Sequence, residues 1–246
     1  MYQACYWKLT FYLLICFYPF IVSGHQITCG ISDGFPPYQF KDNKMANGFD
    51  VQVLKLVEKQ LNTKIVIKQQ RWSDVVSQLR FTNKLDCIFG MEISKRREQS
   101  FLFTRPYYRR KIAIFALENN KQINSLKDLI GENITGDRHS SIEKLLQDEG
   151  LIKQIRIKET RSKEESIKLL KTGKFVAMIA PKAVGFHLAK QFDVNVKVIS
   201  ESPESTPVAI AVKKGNASLA NQFDKALQTL LDSEQFNTLK YNWLNK

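Results

Sequence analysis

The chain has 246 residues, enough for one large domain or for two lobes with a buried core. Its 43% hydrophobic and 25% charged residues exclude a disordered or fibrous protein. The net charge of +13 comes from lysines and arginines scattered among acidic residues, which is typical of a solvated surface and argues against a nucleic-acid partner.

Residues 1–24 have the pattern of a secretory signal peptide. A single charged residue, Lys8, precedes an apolar run over residues 9–22, and small residues close the segment. The run is short for a membrane span, although an uncleaved N-terminal anchor is the alternative. We predict cleavage after Gly24 and export of the mature protein.

Two cysteines, Cys29 and Cys87, remain once that segment is removed. Both lie in short apolar segments, where a free cysteine acts as a small hydrophobe, and neighbouring strands seldom offer good bridging geometry. We therefore favour two free, buried thiols, with a single disulfide as the alternative in an oxidising compartment. No cysteine or histidine spacing indicates a metal site, and no cofactor is expected.

The first third of the mature chain alternates between strand-like and helix-like segments. "QITCGIS" predicts a strand that the turn-rich "DGFPPYQ" ends, and "GFDVQVLKLVEKQLN" has apolar residues at helical spacing. The segments "KIVIKQQ", "WSDVVSQLRFTN" and "LDCIFG" complete a β-α-β-α-β order. This order predicts a parallel sheet with helices packed on it.

A second α/β unit follows the strand "RKIAIFALE" and returns through the strand "PVAIAVKKG", after which helices close the chain. No flexible linker separates the two units. We therefore predict two lobes joined by crossing strands near residues 112–117 and 207–213. Because ligands of open α/β sheets bind beyond the carboxyl ends of the strands, the site is expected in the cleft between the lobes.

The order of several motifs resembles that of the bacterial extracellular solute-binding proteins of family 3. The motifs are "GISDGFPPYQF", "GFDVQVLKLV", "LDCIFGMEISKRRE", "FTRPYY", "GDRHSSIEKLL" and "PVAIAVKKGN", and they cover nearly all of the mature chain. The resemblance implies an α/β, two-lobed Venus-flytrap fold of type II, each lobe a mostly parallel sheet flanked by helices. Residues 25–113 and 210–246 would form lobe 1, and the inserted residues 114–209 lobe 2.

The resemblance also implies a function. A periplasmic receptor of this kind captures a small carboxylate-bearing or amino-acid-like solute and delivers it, as a monomer, to an ABC permease of the inner membrane. It is a binding protein and not an enzyme. Two alternatives stay open: a periplasmic enzyme similar to cyclohexadienyl dehydratase, which needs a positioned acid such as His139 or Glu143, and a detached sensory ligand-binding module.

The stretch "GMEISKRRE" carries the first-lobe site in this resemblance. It matches Arg97 to the arginine of the family, whose planar guanidinium pairs with a ligand carboxylate. Glu92 stands where a hydroxyl residue is expected, and Gly90 begins the stretch. Aromatic cover is expected from Tyr38 or Phe35 and from Trp72.

The second-lobe site is expected at "GDRHSSIEK". Ser140 and Ser141 match the family's carboxylate contacts, although helix capping alone explains serines there, and Arg138 would make the cleft more basic. Pro181 replaces the aspartate that holds the ligand ammonium in amino-acid binders. Either Glu92 substitutes for that aspartate or the solute is not an ordinary α-amino acid. Tyr107 and Tyr108 are expected to support the hinge, and Arg109 and Arg110 have no assigned role.

Overall fold

The computed structural model describes residues 26–136 and 141–244, without the side chains of Ser141, Glu143 and Lys144. The strands of the described residues are β1 (Ile27–Ser32), β2 (Phe40–Asp42), β3 (Met45–Asn47), β4 (Ile65–Gln70), β5 (Cys87–Glu92), β6 (Phe101–Phe103), β7 (Tyr108–Arg110), β8 (Ile112–Leu117), β9 (Asn133–Thr135), β10 (Arg156–Lys158), β11 (Ala177–Pro181), β12 (Val196–Glu201) and β13 (Thr206–Lys213). The α-helices are α1 (Phe49–Leu61), α2 (Trp72–Phe81), α3 (Lys95–Glu98), α4 (Ser141–Asp148), α5 (Lys163–Lys171), α6 (Lys182–Gln191), α7 (Ala217–Leu231) and α8 (Glu234–Leu244).

The first lobe is built on a mixed sheet with the order β4-β1-β5-β13-β6, in which β7 also pairs with β13. The β-α-β-α-β segment forms its parallel part, because β1 pairs with β4 and β5 in the parallel sense. Strand β13 returns from the second lobe and runs antiparallel to β5, β6 and β7. The sheet is therefore parallel where consecutive β-α-β units build it and antiparallel where the chain re-enters.

The second lobe repeats this arrangement in the order β10-β9-β11-β8-β12. Strand β9 is parallel to β10 and β11, whereas β8 is antiparallel to β11 and β12. Helices α5 and α6 pack beside this sheet, with Ile167, Leu170, Val184 and Leu188 buried. The two-lobed α/β fold is the one that the sequence predicts.

The chain passes between the two sheets at Lys111 and at residues 202–205. Strand β8 already belongs to the second sheet and β13 belongs to the first over its whole length. The amide of Ser202 donates to the carbonyl of Ile112 (2.8 Å), so the two passages are hydrogen-bonded to each other. The crossing expected near 207–213 thus lies a few residues earlier, because the apolar run of β13 fills the centre of the first sheet.

Cys29 and Cys87 form a disulfide, which corrects the expectation of two free thiols. The two residues are direct partners in the parallel pairing of β1 and β5, and their Cα atoms are 4.6 Å apart. That separation lies within the range that a disulfide spans. Both residues are fully buried, so the bond links two central strands inside the first-lobe core.

Candidate functional site

A cleft of about 590 Å³ opens between the two lobes. Its first-lobe wall comes from the ends of β1 and β5, from α2 and from β7, and its second-lobe wall from the segment between β10 and α5. The charged and aromatic residues that line it are Asp33, Phe35, Arg71, Trp72, Arg80, Phe81, Glu92, Arg97, Arg110, Glu159, Arg161 and Lys163. This is the position at the strand ends where α/β proteins bind ligands.

Arg97 lies in the cleft because the chain turns sharply after β5. The strand ends at Glu92, and the Ser94 hydroxyl accepts a hydrogen bond from the Arg97 amide (3.4 Å), which starts the short helix α3. The Arg97 side chain then folds back, and its Nη1 donates to the carbonyl of Glu92 (2.8 Å). The guanidinium also lies 5.7 Å from the centre of the Trp72 ring. These contacts hold a planar cation at the cleft wall.

The Glu92 carboxylate lies between two guanidinium groups. Its oxygens are 3.9 Å from Arg97 Nη1 and 4.0 Å from Arg110 Nη1, which is beyond hydrogen-bond distance. The side chain is only 18% exposed, and no donor of the described residues makes a hydrogen bond to the carboxylate. A carboxylate can accept several hydrogen bonds, so Glu92 offers unused acceptor capacity to a ligand in the cleft.

Arg110 forms the floor of the cleft. Its guanidinium lies 4.3 Å from the ring centre of Tyr38 and 4.9 Å from those of Phe35 and Tyr108. Its Nη1 donates to the carbonyl of Gly90 (3.2 Å). Burial lowers the pKa of this guanidinium, but the groups around it, Tyr108 and Asp50 first, raise the pKa more, so it stays charged.

Below the floor, the buried carboxylate of Asp50 gathers four donors. The hydroxyls of Tyr107 (2.7 Å) and Tyr108 (3.2 Å) donate to it, as do Gln39 Nε2 (2.6 Å) and Arg110 Nη2 (3.2 Å). Burial raises the pKa of both tyrosine hydroxyls well above the ordinary value, which keeps them protonated as donors. The tyrosine pair therefore supports the cleft floor from beneath.

Gly90 is required by this packing. Its φ of +75° suits glycine, and a Cβ there would collide with the Asp50 carboxylate and the Gln39 amide. Gly90 lines the cleft and its carbonyl holds Arg110. The glycine thus lets the buried polar network approach the end of β5.

The aromatic residues expected to cover a ligand occupy two different positions. Trp72 lines the cleft at the start of α2. Tyr38 is 4% exposed, stacks under Arg110 and is not part of the cleft surface, whereas Phe35 lines it. The rigid turn "DGFPPYQ" therefore presents Phe35 to the cleft and buries Tyr38.

The predicted second-lobe contacts lie largely outside the described residues. Arg138, Ser140 and the acid candidate His139 fall in the segment 137–140, and Ser141 is described only as the first residue of α4. Pro181 is the buried last residue of β11, where it pairs with Ile112. The Lys182 ammonium is 2.9 Å from Glu201 and does not line the cleft.

Two groups of cleft residues were missed in the sequence. On α2, Val76 and Arg80 follow the predicted Trp72 at intervals of four residues and line the cleft with it. That helical spacing is a signal that could have found them. The second group, residues 159–163, follows the carboxyl end of β10, where the strand-end rule locates ligand sites.

The sequence over residues 27–246 matches the profile of the "Bacterial extracellular solute-binding proteins, family 3". The chain belongs to this family. Among the described residues, no helix is long and apolar enough to cross a membrane. Within that same part of the chain, no group of three or more histidine, cysteine or acidic residues is arranged to hold a metal ion.

The relatives of the chain include proteins that are named for the amino acid they bind or transport. The "L-cystine-binding protein TcyK" of Bacillus subtilis (strain 168) is 30% identical over 227 residues, which span 89% of this chain and 83% of that protein. "An ancestral arginine-binding protein bound to glutamine" is a solved structure with a TM-score of 0.81 and 28% identity, covering 90% and 98% of the two chains. A "Putative L-Cystine ABC transporter from Listeria monocytogenes" has a TM-score of 0.80 and 28% identity, over 89% and 95% of the chains.

Proposed function

We propose that this protein is the solute receptor of an ABC importer and binds an amino-acid-type solute between its lobes. The observation that carries the proposal is the juxtaposition of the Arg97 guanidinium and the Glu92 carboxylate on one wall of the interlobe cleft. A zwitterion presents a carboxylate to an arginine and an ammonium to an acidic side chain. The relatives named as cystine-binding and arginine-binding proteins support the same solute class.

In this proposal Arg97 takes the solute carboxylate and Glu92 takes its ammonium. Glu92 thereby fills the role that Pro181 cannot fill, since proline has no side-chain acceptor and Pro181 is engaged in β11. Phe35 and Trp72 pack on the apolar part of the solute. Ser140, Ser141 and Arg138 stay predictions for the second-lobe side of the contact.

Binding of the solute drives the two lobes to close around it. The solute must bind the closed arrangement more tightly than the open one, since only differential affinity shifts the equilibrium between them. The hydrogen-bonded passages at Lys111 and residues 202–205 are where we expect the backbone to adjust. The closed, monomeric protein then docks on a membrane permease in the periplasm, to which the signal peptide over residues 1–24 directs it.

Binding without catalysis is the activity that we propose. A dehydratase needs an acid placed to protonate a leaving hydroxyl, whereas in our proposal the Glu92 carboxylate, which lies between two guanidinium groups, binds the solute ammonium. A detached sensory module would use the same cleft and differ only in its partner.

The experiment is a thermal-shift screen of the purified protein against the twenty amino acids, cystine and non-amino organic acids, followed by calorimetry of the hits. We expect an amino acid to raise the melting temperature, because a ligand that binds the native state alone stabilises it by mass action. Turnover of any hit would contradict a purely binding role. Stabilisation by organic acids alone would contradict the zwitterion assignment.

A further inference from the structure

The cleft carries more positive than negative charge. Among the residues that the structure describes, six cationic residues line it, against three acidic ones. The cations are Arg71, Arg80, Arg97, Arg110, Arg161 and Lys163, and the acids are Asp33, Glu92 and Glu159. A cleft with walls of one sign of charge concentrates ligands of the opposite sign.

Several of these charges already have partners within the protein. Asp33 pairs with Lys41 at 3.0 Å, and Arg71 pairs with Asp74 at 2.9 Å. Lys163 donates to the carbonyl of Ile179 (3.0 Å). Glu159 is engaged by other groups of the protein as well. These residues leave little net charge for a ligand to neutralise.

Arg80 and Arg161 differ from the residues above. Neither guanidinium has a carboxylate within 4.0 Å in the part of the chain that the structure describes. The Arg80 guanidinium lies 5.0 Å from the centre of the Phe81 ring. The acidic neighbour of Arg161 is Glu165, whose carboxylate accepts a hydrogen bond from the Arg161 backbone amide and not from its side chain. Arg80 belongs to α2 of the first lobe, whereas Arg161 precedes α5 of the second, so the two cations line the cleft from opposite walls.

A zwitterionic head group would use Arg97 and Glu92, as proposed above. Among the described lining residues, the charged groups that then remain without a carboxylate partner are Arg80 and Arg161, whose guanidinium groups donate hydrogen bonds and accept none. Both arginines are exposed, so a neutral side chain would leave them solvated, a cationic one would be repelled by them and an anionic one would be attracted. An anionic group on the remaining part of the solute therefore fits this region of the cleft best.

We propose that the solute is an amino acid with a second anionic group, such as a distal carboxylate, that Arg80 and Arg161 contact from opposite lobes. This inference rests on the proposed amino-acid receptor function and narrows its substrate class. Because the two cations belong to different lobes, the distal group also bridges the lobes and favours closure.

The test compares ligands of matched shape by calorimetry. L-Glutamate and L-aspartate are titrated beside L-glutamine and L-asparagine, and 2-aminoadipate, cystine, arginine and lysine complete the panel. We expect the tightest ligand to carry a second carboxylate and each acidic amino acid to bind at least tenfold more tightly than its amide. A tightest ligand without a second carboxylate, such as glutamine, arginine or lysine, would overturn the inference while leaving the receptor function intact. Absence of binding by every amino acid would overturn the proposed amino-acid receptor function itself.

Variants then assign the contact to the two arginines. Arg80→Gln and Arg161→Gln should each lower the affinity for the acidic amino acid about fivefold, as expected for a partly solvated ion pair. The affinity for the corresponding amide should change by less than about twofold. Arg96→Gln is the matched control, since Arg96 is an exposed arginine beside Arg97 that does not line the cleft. Equal losses for the acid and the amide, or the same loss in Arg96→Gln, would overturn the assignment.

Discussion

The carboxylate of Asp50 and the guanidinium of Arg110 form a buried ion pair, with Oδ2 and Nη2 3.2 Å apart and both side chains at most 3% exposed. Asp50 comes from the first turn of α1 and Arg110 ends β7, just before the chain leaves for the second lobe. The pair therefore connects the first-lobe helix layer to the passage between the lobes, directly beneath the cleft.

Asp50→Asn should destabilise the protein strongly. The variant leaves the Arg110 charge in the core without its counter-charge, and breaking a buried pair by removing one partner costs about 3–5 kcal/mol. The free energy of unfolding, measured by urea titration, should fall by about that amount. Adding Arg110→Gln to Asp50→Asn should recover part of the loss, because no uncompensated charge then remains.

A control separates the charge from the hydrogen bonds. Tyr107→Phe removes one donor to Asp50 (2.7 Å) and keeps both charges, so it should cost only about 1 kcal/mol. Equal costs for Asp50→Asn and Tyr107→Phe would contradict a dominant role for the ion pair.

The sequence predicts the architecture because the spacing of apolar residues matches the face that each element buries. Val51, Leu54 and Val57, spaced for one helical face, are all buried in α1. Apolar periodicity did not reveal at which residues the chain passes between the lobes. The apolar run of β13 would have the same sequence pattern in a strand that crosses between the lobes and in one that lies inside a sheet. Hydrogen bonding to β5, β6 and β7 decides that question, and it depends on pairing that no local pattern encodes.

Arg97 was indicated by the resemblance to the family, whose arginine it matches, and the structure has this residue in the cleft lining. Arg110 could not be assigned, since "YYRR" gives no sign that one arginine is buried and the next to it is exposed. Its burial is set by Asp50, 60 residues away. The disulfide was missed for a similar reason, because spacing does not reveal that Cys29 and Cys87 face each other in register.

Arg97→Ala should weaken solute binding at least tenfold, which corresponds to about 1.4 kcal/mol. The variant removes the planar cation that we propose for the solute carboxylate. Calorimetry with the best amino acid from the screen measures the loss, and the melting temperature without ligand checks the fold. Arg96→Ala removes an exposed arginine one residue earlier and should leave affinity unchanged. Unchanged affinity in Arg97→Ala would remove Arg97 from the site.

Glu92→Gln distinguishes two roles of the carboxylate. As the acceptor of a ligand ammonium, Glu92 should contribute a charged hydrogen bond, so the variant should bind the amino acid about tenfold more weakly. The same solute without its amino group should not lose affinity. Tighter binding of the amino acid by Glu92→Gln would mean instead that Glu92 competes with the ligand carboxylate for Arg97 and Arg110, which it approaches to 3.9 and 4.0 Å.

Glu201 should contribute to stability in a pH-dependent way. Hydrogen bonds from Lys111 (2.8 Å) and Lys182 (2.9 Å) lower the pKa of this carboxyl from 4.5 to about 2. Its contribution is therefore present above the unfolded-state pKa near 4.5 and is lost as the pH falls toward 2. The difference in melting temperature between the protein and Glu201→Gln should shrink over that interval.

The control for this pH series is Glu204→Gln, an exposed glutamate three residues later in the same passage. The difference in melting temperature between Glu204→Gln and the unaltered protein should be small at every pH. A Glu201→Gln difference that stays constant from neutral pH to pH 2 would show that the two lysines do not stabilise the ionised carboxyl.

The Cys29–Cys87 disulfide should stabilise the first lobe, because it closes a loop with a sequence separation of 58 residues and so restricts the unfolded chain. Dithiothreitol should lower the melting temperature by roughly 6–12 °C, which corresponds to about 3 kcal/mol for a chain of this size. The double variant Cys29→Ala/Cys87→Ala should melt at a lower temperature and should not respond to the reductant. A thiol titration of the unfolded, non-reduced protein measures the same bond directly: Cys29 and Cys87 should stay unreactive until reductant is added. Full reactivity without reductant would exclude the disulfide.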